Sequence, residues 1–291
     1  MGGELTRAAI AAQPEWLRQV PERVGELRLP AGASVLFTGC GTSYHAALAC
    51  GPAAQALDVV LGTAPAADVL VAISHEGETR LTLEAVRDFA GETWLITGAP
   101  ESPLARAADR VVVATPEVER SYCHTASYTC AVAAGRALQG EDVSGLADAV
   151  AARLAGPPLA VSAHERYLVA GAGGDLPTAL EAVLKLREGA HVPAEAHHLE
   201  QLLHGHLAAV DATVRCFLLE GEGRAAERAR DAARALAELG CETVVLPTSH
   251  PVVDVVAFQL LAVELAAARG VDPDLIRWDE EPWDRARRSY A

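Results

Sequence analysis

The 291 residues are 51% apolar with a net charge of −15. That is enough chain for one or two cores, and with 24 basic residues in no long Lys/Arg run it is poorly suited to nucleic acid or an anionic membrane surface. No apolar stretch reaches the ~18 uninterrupted residues of a spanning helix, so the expected partner is a small molecule.

The chain opens with a helical pattern from Glu4 to Val24, which reads as a leading helix outside the first sheet. Short β-branched runs then alternate with Ala-rich helical stretches: strands are expected at Ser34–Thr38, Asp68–Ile73, Thr93–Thr97 and Arg110–Ala114. After AGPP at 155–158 they are expected at Arg166–Ala170, Thr213–Leu219 and Glu242–Leu246. Alternation of this kind implies parallel sheets covered by helices on both faces. Each half opens with a strand, a glycine turn and a helix, GCGTS at 39–43 and GAGGD at 171–175, where Asp175 suits an N-cap and Pro177 a first turn. We therefore expect two tandem doubly wound, flavodoxin-like α/β units: a helical segment at 1–30, subdomains at 31–154 and 155–270, and a tail at 271–291.

In such sheets ligands sit outside the carboxyl ends of the strands, where loop amides and helix N-termini meet anions. Gly39–Ser43 and Ser74–Thr79 are the candidate loops of the first half. The plainer reading of the former is a tight turn with Thr42 or Ser43 capping the next helix. The second loop, SHEGET, is contradictory, because Glu76 and Glu78 should repel an anion. Glu78 has a simple reading as an acid in a helix first turn; Glu76 has none. Further on, Glu181, Lys185 and Glu188 are spaced i, i+4, i+7 on one helical face. Read plainly, Glu181 and Lys185 form a surface pair worth ~0.3–0.5 kcal/mol and Glu188 is solvated. Yet the chain uses Arg 23 times and Lys once, and the lone Lys falls on this face.

Taken together, GCGTSYHAAL (39–48), ISHEGET (73–79), ERSYCHTASYT (119–129), ALEAVLKLRE (179–188) and AEAHHLEQLLHG (194–205) resemble, in order and spacing, the sugar isomerase (SIS) domain family, and most of all the isomerase half of glucosamine-6-phosphate synthases. The resemblance spans about residues 30–275. It implies that Ser43, Ser74 and Thr79, with Thr42, bind a sugar phosphate, with His75 standing for a Gln and Glu76 for a Ser. Either Glu76 swings out and His75 supplies a donor, protonated so as to offset charge, or the ligand is not a phosphate ester. The resemblance further implies that Glu188 is the base at the sugar C1/C2 carbons, that His204 is the ring-opening acid-base, that Lys185 belongs to the catalytic group, and that Glu181 and His124 face the ligand.

A base beside an open-chain sugar removes the C2 proton; reprotonation at C1 then interconverts aldose and ketose, a free C2 amine can leave through an imine, and with an acylated amine the C3 hydroxyl can be expelled as water. The tail VDPDLIRWDEEPWDRARRSYA lacks the family's Schiff-base lysine and the chain has no glutaminase domain, so amino-sugar synthesis is not expected. The expected substrate is a hexose or amino-sugar 6-phosphate of the glucosamine or N-acetylglucosamine type. The alternatives are a non-catalytic sugar-phosphate sensor and an enzyme for an unphosphorylated amino sugar. Histidines 191, 197, 198, 204 and 206 cluster in sequence but lack an i, i+4 pair on a helix, so no metal is expected, nor any cofactor. A homodimer sharing its site through His204 follows from the resemblance. Six cysteines without a CxxC pair, and an opening with neither basic segment nor adjoining apolar core, suggest free thiols in a cytoplasmic protein.

Overall fold

A computed structural model describes residues 2–290. Helix α1 (Glu4–Val24) leads into strand β1 (Val35–Gly39), α2 (Thr42–Cys50), β2 (Ala53–Gln55), α3 (Ala56–Val60), β3 (Val69–Ile73), α4 (Arg80–Asp88), β4 (Glu92–Thr97), α5 (Pro103–Ala107) and β5 (Arg110–Val113). Helices α6 (Ala126–Leu138) and α7 (Leu146–Ala155) close this half. The second half runs β6 (Arg166–Gly171), α8 (Leu176–Ala190), β7 (Ala194–His198), α9 (Leu199–Leu203), β8 (Val214–Glu220), α10 (Arg224–Glu238), β9 (Glu242–Pro247), α11 (Pro251–Arg269) and α12 (Glu281–Arg288).

Both sheets are parallel throughout, ordered β2-β1-β3-β4-β5 and β7-β6-β8-β9. The expected pair of doubly wound units is therefore present. Period-2 alternation distributes each strand between two cores: Phe37, Val69, Val71, Trp94 and Ile96 face the α1, α2, α6 and α7 side, while Leu36, Leu70, Ala72 and Leu95 face Val86 and Leu104. The second sheet repeats this with Val169 and Phe217 against Leu168 and Leu218.

Two strands escaped the sequence reading. Strands β2 and β7 are edge strands of three and five residues, AAQ and AEAHH, without the β-branched run that marks the others. Their pairing with β1 and β6 creates them. Helix α1 has the expected bounds and joins the core of the first half through Leu17, Val20 and Val24. Helix α11 is long and apolar enough to cross a membrane by length and composition. Asp254, Gln259 and Glu264 interrupt it, so counting uninterrupted apolar residues missed it. Its surface is used inside the fold: Val252, Val255 and Val256 enter the first core, and Phe258, Leu261 and Leu265 the second. All six cysteines are free thiols.

Candidate functional site

The order β2-β1-β3 makes the boundary between β1 and β3 the point where the winding reverses, and a crevice opens there outside the strand ends. Loops 39–43 and 74–79 leave β1 and β3 at that point. Gly77 shapes the second loop: its φ of 68° lies in the left-handed region, and a Cβ there would meet the Ser102 Oγ at 2.0 Å. Leu104 N–H donates to the Gly77 carbonyl at 3.1 Å, fastening the loop to α5.

Neither Thr42 nor Ser43 caps α2, whose N-cap is Gly41. Ser43 stays partly exposed, and Thr79 is the N-cap residue of α4 without a side-chain cap bond; its hydroxyl lies 3.5 Å from that of buried Ser74. Ser43 thus follows β1, in the first turn of α2, and Ser74 and Thr79 belong to the loop after β3. Glu78 precedes the cap rather than lying in the first turn of α4. Glu76 is exposed, and its carboxyl is shifted upward by partial burial and then by Glu78.

His75 departs from expectation. Its Nε2 accepts the Glu119 N–H at 2.7 Å and its ring meets that of His124 edge-on at 5.2 Å. Burial first and His124 second push its pKa down to about 4, against which Glu119 is too weak. A neutral imidazole bound inward cannot offset a ligand's charge at neutral pH. Glu119, which the sequence reading passed over, is the organiser here. Its buried carboxylate accepts from Thr125 N and Oγ1 at 2.8 Å and from Ser127 N at 2.9 Å, capping α6.

The second group of residues lies on α8, packed against α2 across the two halves. Glu181 and Lys185 are fully buried, not a surface pair, and Glu188 keeps 24% side-chain exposure. Lys185 Nζ sits 2.6 Å from Glu188 Oε2 and 3.4 Å from Glu181 Oε1, and donates to Thr42 Oγ1 at 3.2 Å and the His124 carbonyl at 2.9 Å. Thr42 Oγ1 lies 3.2 Å from Glu181 Oε1, and His45 Nδ1 is 2.8 Å from Glu181 Oε2. His45 is a second residue that the helical spacing of α8 could not have announced, because it comes from the other half.

Burial disfavours the Lys185 ammonium, but Glu188 and then Glu181 overcome it and hold its pKa far above the usual lysine range. Burial raises Glu181 too, yet Lys185 and the His45 bond bring it below the ordinary carboxylate value. Glu188 remains raised by burial, only partly offset by Lys185. The physical reason is that one cation serves two carboxylates, leaving a buried cluster short of positive charge.

His204 is not part of this cluster within one chain. Its side chain is 74% exposed at the C-cap of α9 and its ion-pair partner is Glu200 at 3.5 Å. His197 and His206 stack at 4.3 Å beside it, and among the described residues no three His, Cys, Asp or Glu side chains gather to hold a metal.

Fold and loops agree with the family comparison: a family model for the SIS domain matches residues 49–139, so this part of the chain is a SIS domain. Over 333 aligned residues it is 31% identical to the isomerizing glutamine–fructose-6-phosphate aminotransferase of Aeropyrum pernix, covering 91% of this chain and 54% of that protein. The Xanthomonas campestris protein of the same name is 27% identical over 306 residues, 82% and 50% of the two chains. This chain thus spans about half the length of the curated relatives it matches. The C-terminal domain of glucosamine-fructose-6-phosphate aminotransferase from Francisella tularensis has a TM-score of 0.79 at 20% identity, covering 93% of this chain and 98% of that one. Glucosamine-6-phosphate deaminase from Thermotoga maritima has a TM-score of 0.76 at 22% identity, covering 94% and 97%. At these identities the structural likeness concerns the fold.

Proposed function

We propose that this protein is an enzyme that takes a hexose or amino-sugar 6-phosphate, opens its ring and abstracts the C2 proton with Glu188. The observation that carries the reading is the buried Glu181–Lys185–Glu188 face beside Thr42, at the start of the helix that follows the first loop. A carboxylate whose pKa is raised by burial is a stronger base than a solvated one, and its residual exposure lets a substrate reach it. Ser43, Ser74 and Thr79 offer hydroxyls to the phosphate, whereas the Thr42 hydroxyl, against expectation, donates to Glu181 and belongs to the α8 cluster; exposed Glu76 can turn to solvent. Glu181 and Lys185 act as positioning residues: Lys185 aims Glu188 and Thr42, and Glu181 keeps it charged.

Lys185, the only lysine in these 291 residues, is held as an ammonium and has no lone pair for an imine. The proposed outcomes are therefore isomerisation, deamination by hydrolysis of a C2 imine, or dehydration, each through the enolate left by loss of the C2 proton, rather than transfer of an amine through a Schiff base on the protein. Isomerisation and deamination also agree with the names of the tagatose-6-phosphate ketose/aldose isomerase from Escherichia coli, whose TM-score is 0.75, and of the T. maritima deaminase. The exposed His204 fits a homodimer in which each subunit lends it to its partner's pocket as the ring-opening acid-base.

The test is solvent deuterium exchange, followed by NMR, at C2 of glucose, glucosamine and N-acetylglucosamine 6-phosphates and at C1 of fructose 6-phosphate. At least one should exchange with the wild-type protein, and Glu188→Gln should stop it while the fold is retained. Exchange at the wild-type rate in the variant removes Glu188 from the role of base.

A further inference from the structure

Beneath the two loops, on the α2 and α6 side of the first sheet, lies a cavity of about 20 Å³ that the proton-abstraction chemistry does not use. Its rim is Thr42 and Ser43, both partly exposed; its walls are the ends of β3, β4 and β5 and the first turns of α6. Four buried polar atoms of its lining residues have no hydrogen-bond partner among the described residues: Thr115 Oγ1, His124 Nε2, Ser127 Oγ and Tyr128 OH. Thr115 and Tyr128 are each 1% exposed and Ser127 5%.

A buried hydroxyl without a partner is costly, and native interiors leave few of them. Four around one cavity point to an occupant that bonds them. The space fits a single water-sized group, for which roughly 10–15 Å³ suffices. A phosphate is too large. The lining also brings no cation to an anion: both of its histidines are held neutral at pH 7, and the helix N-terminus at Ser127 is already taken by Glu119. What fits is a small neutral donor and acceptor.

We propose that this cavity is a selectivity subsite of the ligand pocket, which admits one hydroxyl group of the sugar, bonded by Ser127, Tyr128, Thr115 and His124, and excludes a larger or charged substituent at that position. It rests on the reading of the ligand as a sugar, and it adds the discriminating group. Thr42 belongs both to the rim and to the Lys185 cluster beside Glu188, so a sugar whose C2 reaches Glu188 presents a ring substituent to the cavity mouth.

Calorimetric titration of wild type, Ser127→Ala and Tyr128→Phe tests this, using glucose, glucosamine and N-acetylglucosamine with and without the 6-phosphate. Each sugar that binds is followed by its monodeoxy and mono-O-methyl forms. On wild type, one deoxy form and the O-methyl form at the same carbon should each lose about tenfold or more in affinity. In the variants the parent sugar should lose a similar factor, and the deoxy form should bind as it does to wild type. Equal losses for every deoxy form in wild type and variants would overturn the subsite and leave the cavity to a water molecule. Binding of unphosphorylated sugars alone would refute the phosphate while the deoxy series still decides the subsite; binding of no sugar overturns both. Thr115→Val provides the comparison should either variant fail to fold, checked by its melting curve.

Discussion

Replacing Lys185 with methionine keeps most of the side-chain volume and deletes the cation that faces both Glu181 and Glu188. Lys185 and Glu181 are fully buried, and the nitrogen is 2.6 Å from one carboxylate and 3.4 Å from the other. Removing one partner of a buried ion pair typically costs about 3–5 kcal/mol, because the charge left behind is uncompensated. For a chain of this size that corresponds to a melting temperature lower by roughly 5–8 °C. The loss should depend on pH with a definite sign. Without Lys185 both folded-state carboxyl pKa values rise above their unfolded values, so the stability associated with the protonated forms is present at low pH and is lost as pH rises through the raised values. Differential scanning calorimetry should thus find a larger deficit at pH 8 than at pH 5. Adding Glu181→Gln to Lys185→Met should recover about 1–3 kcal/mol, as expected for coupled neighbours. A melting temperature within about 2 °C of wild type, equal at both pH values, would refute the description of this face as a buried, charge-starved cluster.

Three further outcomes follow from the same geometry. His75 and His124 are held at about 4, below the ordinary histidine value of 6.5, so the stability they contribute is full above pH 6.5 and is lost as pH falls from there to 4. His124→Gln should shrink the loss seen in urea titrations between pH 7 and pH 5 by about 2 kcal/mol, and an unchanged acid limb would show that His124 is not held neutral. Glu76→Ser removes one charge beside the proposed phosphate seat; at ~8 Å and an effective dielectric near 20 this is on the order of 2 kcal/mol. Because Glu76 is exposed, screening should reduce the gain to about three- to tenfold in affinity for a sugar 6-phosphate over its unphosphorylated form; weaker phosphate binding would mean that Glu76 contacts the sugar itself. Mixing inactive Glu188→Gln and His204→Ala proteins under subunit-exchange conditions should restore part of the activity, and no recovery despite demonstrated exchange would reject a shared site.

The strands that were legible in the sequence are the ones whose side chains build the cores. VLFTG, VLVAI, ETWLIT, RVVV, RYLVAG, VRCFLLE and ETVVLP carry enough β-branched and aromatic residues to declare themselves, and the glycine turns after β1 and β6 mark where helices begin. Edge strands β2 and β7 carry no such signal, because an edge strand of Ala, Gln, Glu and His exists only through the neighbour that hydrogen-bonds to it.

At the site the same boundary holds. Helical periodicity alone determined that Glu181, Lys185 and Glu188 share a face, and motif order alone determined which loops gather at the β1–β3 crevice. Which way the α8 face looks is a property of packing: it turns toward α2, so a pattern equally compatible with a solvated surface pair becomes a buried cluster, with His45 and Thr42 supplied by the other half of the chain. Nor could sequence tell that His75 turns inward to the Glu119 amide, that α11 serves two cores, or that four residues lining one cavity each carry a buried polar atom without a partner among the described residues. Periodicity and loop chemistry act within a few residues along the chain. Burial, charge state and hydrogen-bond partnership depend on which segments the fold brings within a few ångströms, and only the tertiary structure decides that.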